Sequence, residues 1–260
     1  MSTITSMYKN WLWTGALAAV VFAGSVAAQE KAATGPGILN VTIVTIKPDV
    51  RPEFQKFIKD EFNAALIKGG EKQMWTWQTA AFGDPFKYVF VSSVSKFADM
   101  DSPGPMEKGL GNENMGAFFK KAGTFVTSVQ SSAMIERPDL SYVTPNMAPP
   151  KMAVVVTIKA GPRQGEFDGY MLNEFLPAFK KSDAKALLVH QTGFGGDPHE
   201  YVLLVPIENF ADLDKGHPIA RAIGLDAWRA MRDKMPGTVT DVSVMRLNKN
   251  LSIIPEVPAK

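Results

Sequence analysis

The chain has 260 residues, of which 45% are hydrophobic, 21% charged and 10% aromatic, with a formal charge of +2 at neutral pH. That apolar content suits a sizeable core and is too high for a disordered chain, while Lys and Arg alternating with Asp and Glu leave no basic stripe for nucleic acid. With no cysteine, disulfides, thiolate chemistry and a lipid-modified cysteine are excluded.

The N-terminus reads as a separate segment. Lys9 precedes an uncharged apolar run from Trp11 to Gly24, followed by Ser25-Val26-Ala27-Ala28-Gln29. The run is short for crossing a bilayer, which takes roughly 20 residues. Val26 and Ala28 suit the −3 and −1 positions of signal peptidase, so residues 1–28 predict a signal peptide cut after Ala28. The alternative is an uncleaved anchor. A cleaved chain is periplasmic or secreted, keeps no stable membrane anchor, and holds together by its core alone.

The rest of the chain uses one motif twice. WQTAAFGDPFKY at 77–88 matches HQTGFGGDPHEY at 190–201, an offset of 113 residues. The same offset pairs Glu61-Phe62 with Glu174-Phe175, Phe97-Ala98-Asp99 with Phe210-Ala211-Asp212, Pro105 with Pro218 and Gly111 with Gly224. Near the start the offset is 112, matching Val44–Lys47 to Val156–Lys159. Such self-similarity predicts two structural repeats, at 38–142 and 152–253. Val143–Lys151, with three prolines, is the linker, and 254–260 is a tail.

Within each repeat, a β-branched run (Val41–Lys47, Ala153–Lys159) predicts a first strand. Phe54, Phe57, Ile58, Phe62, Ala65 and Leu66 recur at helical spacing, stopped by Gly69-Gly70. The copy runs from Phe167 through Tyr170, Met171 and Phe175 to Phe179, with Pro177 expected to bend it. Two strands follow, at 73–81 and 86–93 and again at 186–194 and 199–205, each pair turning at Gly-Asp-Pro. There proline fixes φ and the aspartate oxygen bonds nearby backbone N–H groups. A broken helical segment (Pro105 to Ala122, Pro218 to Met235) ends at Gly123 or at Pro236-Gly237, and a last strand closes each repeat (Thr124–Met134, Thr238–Leu247). The order β-α-β-β-α-β is the split-βαβ pattern. Each sheet would leave one face bare, so the two should pack sheet to sheet.

This duplicated βαββαβ pattern resembles the dimeric α/β-barrel superfamily, which includes antibiotic-biosynthesis monooxygenase-like and NIPSNAP-like proteins and, as a heme-bearing relative, chlorite dismutase. The resemblance covers nearly all of residues 38–253 and rests on topology and duplication. It implies an α+β fold of tandem ferredoxin-like repeats forming a pseudo-dimeric α/β barrel, with a pocket between the helices and the sheet of one repeat, the second repeat being expected to carry the more polar pocket. It also implies small-molecule binding, with cofactor-free oxygenation or isomerase-like chemistry among the activities. A non-catalytic interaction module and a heme protein are the alternatives, and a homodimer is compatible with all three.

Positions that differ between the copies are candidates for specialisation. His190 stands where the first copy has Trp77, as a general base, a hydrogen-bonding group or a satisfied core histidine. Glu174 and Glu61 occupy matching helix positions at the edge of an apolar face, either as carboxyls whose pKa partial desolvation raises or as helix carboxylates paired with a lysine or capping backbone. Trp75 and Trp77 share a strand face by period two. With Tyr88, Tyr201 and Phe82 they form either an aromatic wall for a planar ligand or simply core. The expected site is therefore His190 and Glu174 as chemical groups, with Tyr201, Trp75, Trp77, Tyr88 and Glu61 around the ligand. Three dispersed histidines and no HExxH spacing give no metal motif. His217 is the approximate candidate for an axial heme ligand.

Overall fold

A computed structural model describes residues 37–145, 147 and 150–254. The expected signal peptide lies outside them. The first run of elements is β1 (Ile38–Ile46), α1 (Arg51–Phe57), a π-helical turn (Ile58–Phe62), α2 (Asn63–Lys68), β2 (Trp75–Ala81), β3 (Lys87–Val94), α3 (Pro105–Leu110), α4 (Asn112–Phe125) and β4 (Val126–Glu136). After the short β5 (Tyr142–Val143) the pattern returns as β6 (Met152–Lys159), α5 (Gln164–Tyr170), a second π-helical turn (Met171–Phe175), α6 (Leu176–Lys180), β7 (Ala186–Phe194) and β8 (Glu200–Ile207). It closes with α7 (Ala211–Asp214), α8 (Pro218–Ile223), α9 (Leu225–Asp233) and β9 (Thr238–Leu247).

The strands form one closed antiparallel barrel, β4-β1-β3-β2-β9-β6-β8-β7, sealed by β2 on β9 and by β7 on β4. Each run contributes four neighbouring strands, and its helices cover the outside. Two cores sit between helices and barrel wall, one around Phe54, Ile58, Tyr88 and Phe118, the other around Phe167, Met171, Phe179 and Tyr201. The barrel satisfies the backbone groups of the strand edges that each four-stranded sheet would otherwise leave open.

Directions alternate around a ring of eight, so equivalent strands, four places apart, run the same way. The pseudo-two-fold therefore lies along the barrel axis, and equivalent residues of β2 and β7 face each other at one level. The stagger follows from the register. Stepping through directly opposed partners from Trp77 leads by Val89 and Ile43 to Gln130, whereas the ring closes on Glu136, opposite His190. From His190 the path leads by Val202 and Thr157 to Asp241, whereas Trp77 lies opposite Leu247. Each half advances six residues, a shear of twelve. With about 3.3 Å per residue and about 4.8 Å between strands this gives a backbone radius of roughly 9 Å, against roughly 7.6 Å for the shear of eight in the side-chain-filled TIM barrel.

Several local expectations change. Gly123 does not stop its helix, because α4 continues to Phe125. The widened turn at Met171–Phe175 is not a consequence of Pro177, since the first run has the same turn at Ile58–Phe62 without a proline. The matching of Val44 to Val156 is two residues out of structural register: Val44 lies opposite Tyr88, and it is Ile158 that lies opposite Tyr201. A slip of two keeps every side chain on its face, which is why the sequence tolerates both alignments. The Gly-Asp-Pro turns form as expected, with Asp84 Oδ1 accepting from the Phe86 N–H at 2.9 Å and Asp197 Oδ1 from that of His199 at 3.0 Å.

Candidate functional site

The two faces of the barrel wall differ in packing. On the helix side Val44, Tyr88, Leu187, Val189 and Tyr201 are at most 1% exposed. Strand alternation turns their neighbours inward, and there Trp75, Trp77, Val91, Leu188, Val202 and Leu204 are only half-buried. Since helices cover the outside, the accessible surface of these inward side chains belongs to the lumen. The wide stagger accounts for it, because a barrel of shear twelve is broader than the side-chain-filled barrel of shear eight.

His190 lies on this inner face, between Val189 and Gln191 of the helix side, and directly opposite Trp77 across the lumen. Its side chain keeps accessible surface, while the enclosing protein pushes its pKa down to about 4, partly offset by the Val202 carbonyl. Enclosure with residual accessibility is what a group lining an internal space shows. The imidazole is neutral at neutral pH.

Glu136 is its cross-strand neighbour on the same face. The carboxylate is half-buried, and burial raises its pKa. It folds over Gly37, where a Cβ would collide with it. In the other half Leu247 holds the identical place. Glu136 N–H donates to the Gly37 carbonyl and Leu247 N–H to that of Lys151, both at 2.9 Å, and each residue faces the β2 or β7 position under comparison. One junction of the barrel thus carries Trp77–Leu247 and the other His190–Glu136.

A second asymmetry lies on the helix side. Tyr201 Oη donates to Asp168 Oδ1 at 2.7 Å, and Arg137 donates to Asp168 at 3.1 Å, to Gln191 at 3.0 Å and to Asp139 at 2.7 Å. Burial and the Asp168 carboxylate both raise the Tyr201 pKa. The matching places in the first half hold uncharged groups, with Gln55 donating to Tyr88 at 2.8 Å and Asn248 to Gln78 at 2.9 Å. In the second half these side chains bond one another, so the cluster ties the β4–β5 connection to α5 and β7.

The structure divides the expected site residues. Trp75, Trp77 and His190 share the lumen. Tyr88 and Tyr201 do not join them, because each is one residue from an inward-facing position and so falls on the helix side. Phe82 is 72% exposed at the β2–β3 turn, with φ of 55°. Glu174 is separated from His190 by the sheet and pairs with Lys234 at 3.5 Å, as Glu61 pairs with Lys121 at 2.6 Å, both on the outer surface. Glu136, Gly37, Arg137 and Asp168 were not singled out in the sequence, because their significance depends on cross-junction pairing.

His217 does not fit an axial heme ligand. Its Nδ1 accepts the Ile219 N–H at 3.3 Å, capping α8, and its ring stacks on Trp228 at 3.8 Å. Burial lowers its pKa to about 4. A neutral imidazole accepting through Nδ1 carries its proton on Nε2, the nitrogen that would have to bind iron. His199 bonds Asp197 at 3.3 Å at the turn. Among the described residues no group of three or more His, Asp or Glu side chains is placed to hold a metal ion, and no helix is long and apolar enough to cross a membrane.

No protein-family profile and no curated relative matches the chain. Solved structures do. An anthrone oxidase-like protein aligns with a TM-score of 0.52 at 11% identity, covering 87% of this chain and 98% of its own. A "putative monooxygenase" from Lactobacillus acidophilus NCFM aligns at 0.51 and 11%, covering 84% and 96%. A chlorite dismutase mutant from Candidatus Nitrospira defluvii aligns at 0.50 and 14%, covering 86% and 97%. Likeness at such low identity speaks for architecture, and with the closed ring of strands it shows that this chain has a ferredoxin-like α/β-barrel fold.

Proposed function

We propose that this protein is an exported small-molecule-binding barrel, built of repeats 38–142 and 152–253, which holds its ligand inside the lumen against the His190–Glu136 wall. The observation that carries this reading is the exchange of Trp77–Leu247 for His190–Glu136 at equivalent junctions. The first half shows that the scaffold closes with an apolar pair. Placing an imidazole and a carboxylate at the same position costs desolvation without being needed for folding.

Two structural neighbours bear the names "putative monooxygenase" and anthrone oxidase-like protein, which favours a second reading, a monooxygenase, here taken as cofactor-free and acting in the same lumen. The low basicity of His190 favours the first reading. A base whose conjugate acid has a pKa near 4 would take a proton from an ordinary phenol, pKa about 10, at a cost of about 8 kcal/mol. For His190, binding through hydrogen bonds is therefore preferred to proton abstraction.

Native mass spectrometry of the mature protein, purified from its own periplasm, tests the reading. A retained small molecule is expected in the wild type and is expected to be lost in His190→Trp, which fills the lumen from both sides. Equal retention by this variant would remove the lumen as the site.

A further inference from the structure

Resting on that reading, we infer that the ligand is a flat organic cation, its positive head at Glu136 and its apolar body against Trp75 and Trp77. Among the described residues the Glu136 carboxylate has neither an ion-pair nor a hydrogen-bond partner, and burial is the one influence on its titration. A partly desolvated carboxylate without a counter-charge favours either a proton or a bound cation. Gly37 has no side chain, and the carboxylate occupies the room that a Cβ would take.

The neighbouring polar group calls for the same partner. The neutral His190 ring carries a proton on one nitrogen and a lone pair on the other, so it can accept one hydrogen bond. Glu136 and the unprotonated ring nitrogen of His190 are then neighbouring acceptors, and an ammonium head donates to both. A neutral hydroxyl satisfies one, and an anion is repelled by Glu136. Opposite stand Trp75 and Trp77, indoles whose ring faces attract cations and flat apolar bodies. Their equivalents across the axis are Leu188 and His190, so one wall is aromatic and the other supplies the acceptors. A barrel of shear twelve sets these two walls further apart than one of shear eight.

Three probes share one body and differ in head group: 1-naphthylmethylamine, 1-naphthylmethanol and 1-naphthoic acid. Calorimetric titration of the mature protein at pH 7 should show the amine binding about tenfold or more tighter than the alcohol, with the acid weakest. Glu136→Leu introduces the residue that the first half carries at Leu247, so the fold is retained. It should bring the amine to the affinity of the alcohol, and Glu136→Gln should act in the same direction. Equal binding of amine and alcohol to the wild type, or an amine preference that survives Glu136→Leu, would overturn the cation assignment and leave the lumen reading standing. Failure of all three probes to bind would overturn both.

Discussion

The enclosure of His190 has a measurable consequence for acid stability. In the unfolded chain its pKa is near the ordinary 6.5, and in the folded protein it is about 4. Above pH 6.5 both states hold a neutral ring and the contribution is complete. Between these values only the unfolded chain takes up the proton, so stability falls with pH. Below about 4 the folded protein is protonated too, and the loss stops growing. The slope approaches 1.36 kcal/mol per pH unit, and the window is worth about 3 kcal/mol, a large share of the 5–15 kcal/mol typical of a domain. Urea unfolding followed by tryptophan fluorescence, at half-unit steps from pH 7.5 to 4, measures it. The wild type should lose about 3 kcal/mol more across this range than His190→Gln, which does not titrate. Carboxylates common to both proteins cancel in the comparison. Glu136 acts in the opposite sense: its raised folded pKa makes the native state take its proton first as pH falls, which adds stability. Repeating both curves in a Glu136→Gln background separates the two groups. Parallel curves for wild type and His190→Gln would refute the enclosure of His190 and, with it, the description of the lumen wall.

Other consequences are independent of the lumen. Gly109→Ala should cost more than about 3 kcal/mol by thermal denaturation, since its new Cβ would collide with the Ala65 carbonyl where α3 crosses α2, whereas Gly116→Ala, in open space on α4, should stabilise by about 0.5–1 kcal/mol. Tyr201→Phe removes a hydrogen bond to a carboxylate and should cost about 2 kcal/mol, against nearer 1 kcal/mol for Tyr88→Phe, whose partner is a neutral amide; paired urea titrations would show the difference. N-terminal sequencing of the mature protein should begin at Gln29, and recovery of an intact N-terminus from membranes would contradict export by a cleaved signal.

The sequence alone determined the duplication, the order of strands and helices, and the Gly-Asp-Pro turns, because each depends on local spacing: a constant offset, a period of two or of three and four, and a residue that fixes φ. It also put Trp75 and Trp77 on one face. Period two states which residues share a face, but not whether that face meets helices or lumen, so by itself it does not separate Tyr88 and Tyr201 from the tryptophans on the other side of the wall. The tertiary structure decided the rest. Closing the ring brought Glu136 beside His190 and Leu247 beside Trp77, and set Trp77 and His190 at one level across the axis. Those pairings join strands of different halves, and their register follows from the stagger accumulated around eight strands. No local pattern in the chain encodes that stagger, because it is fixed only when the last strand meets the first.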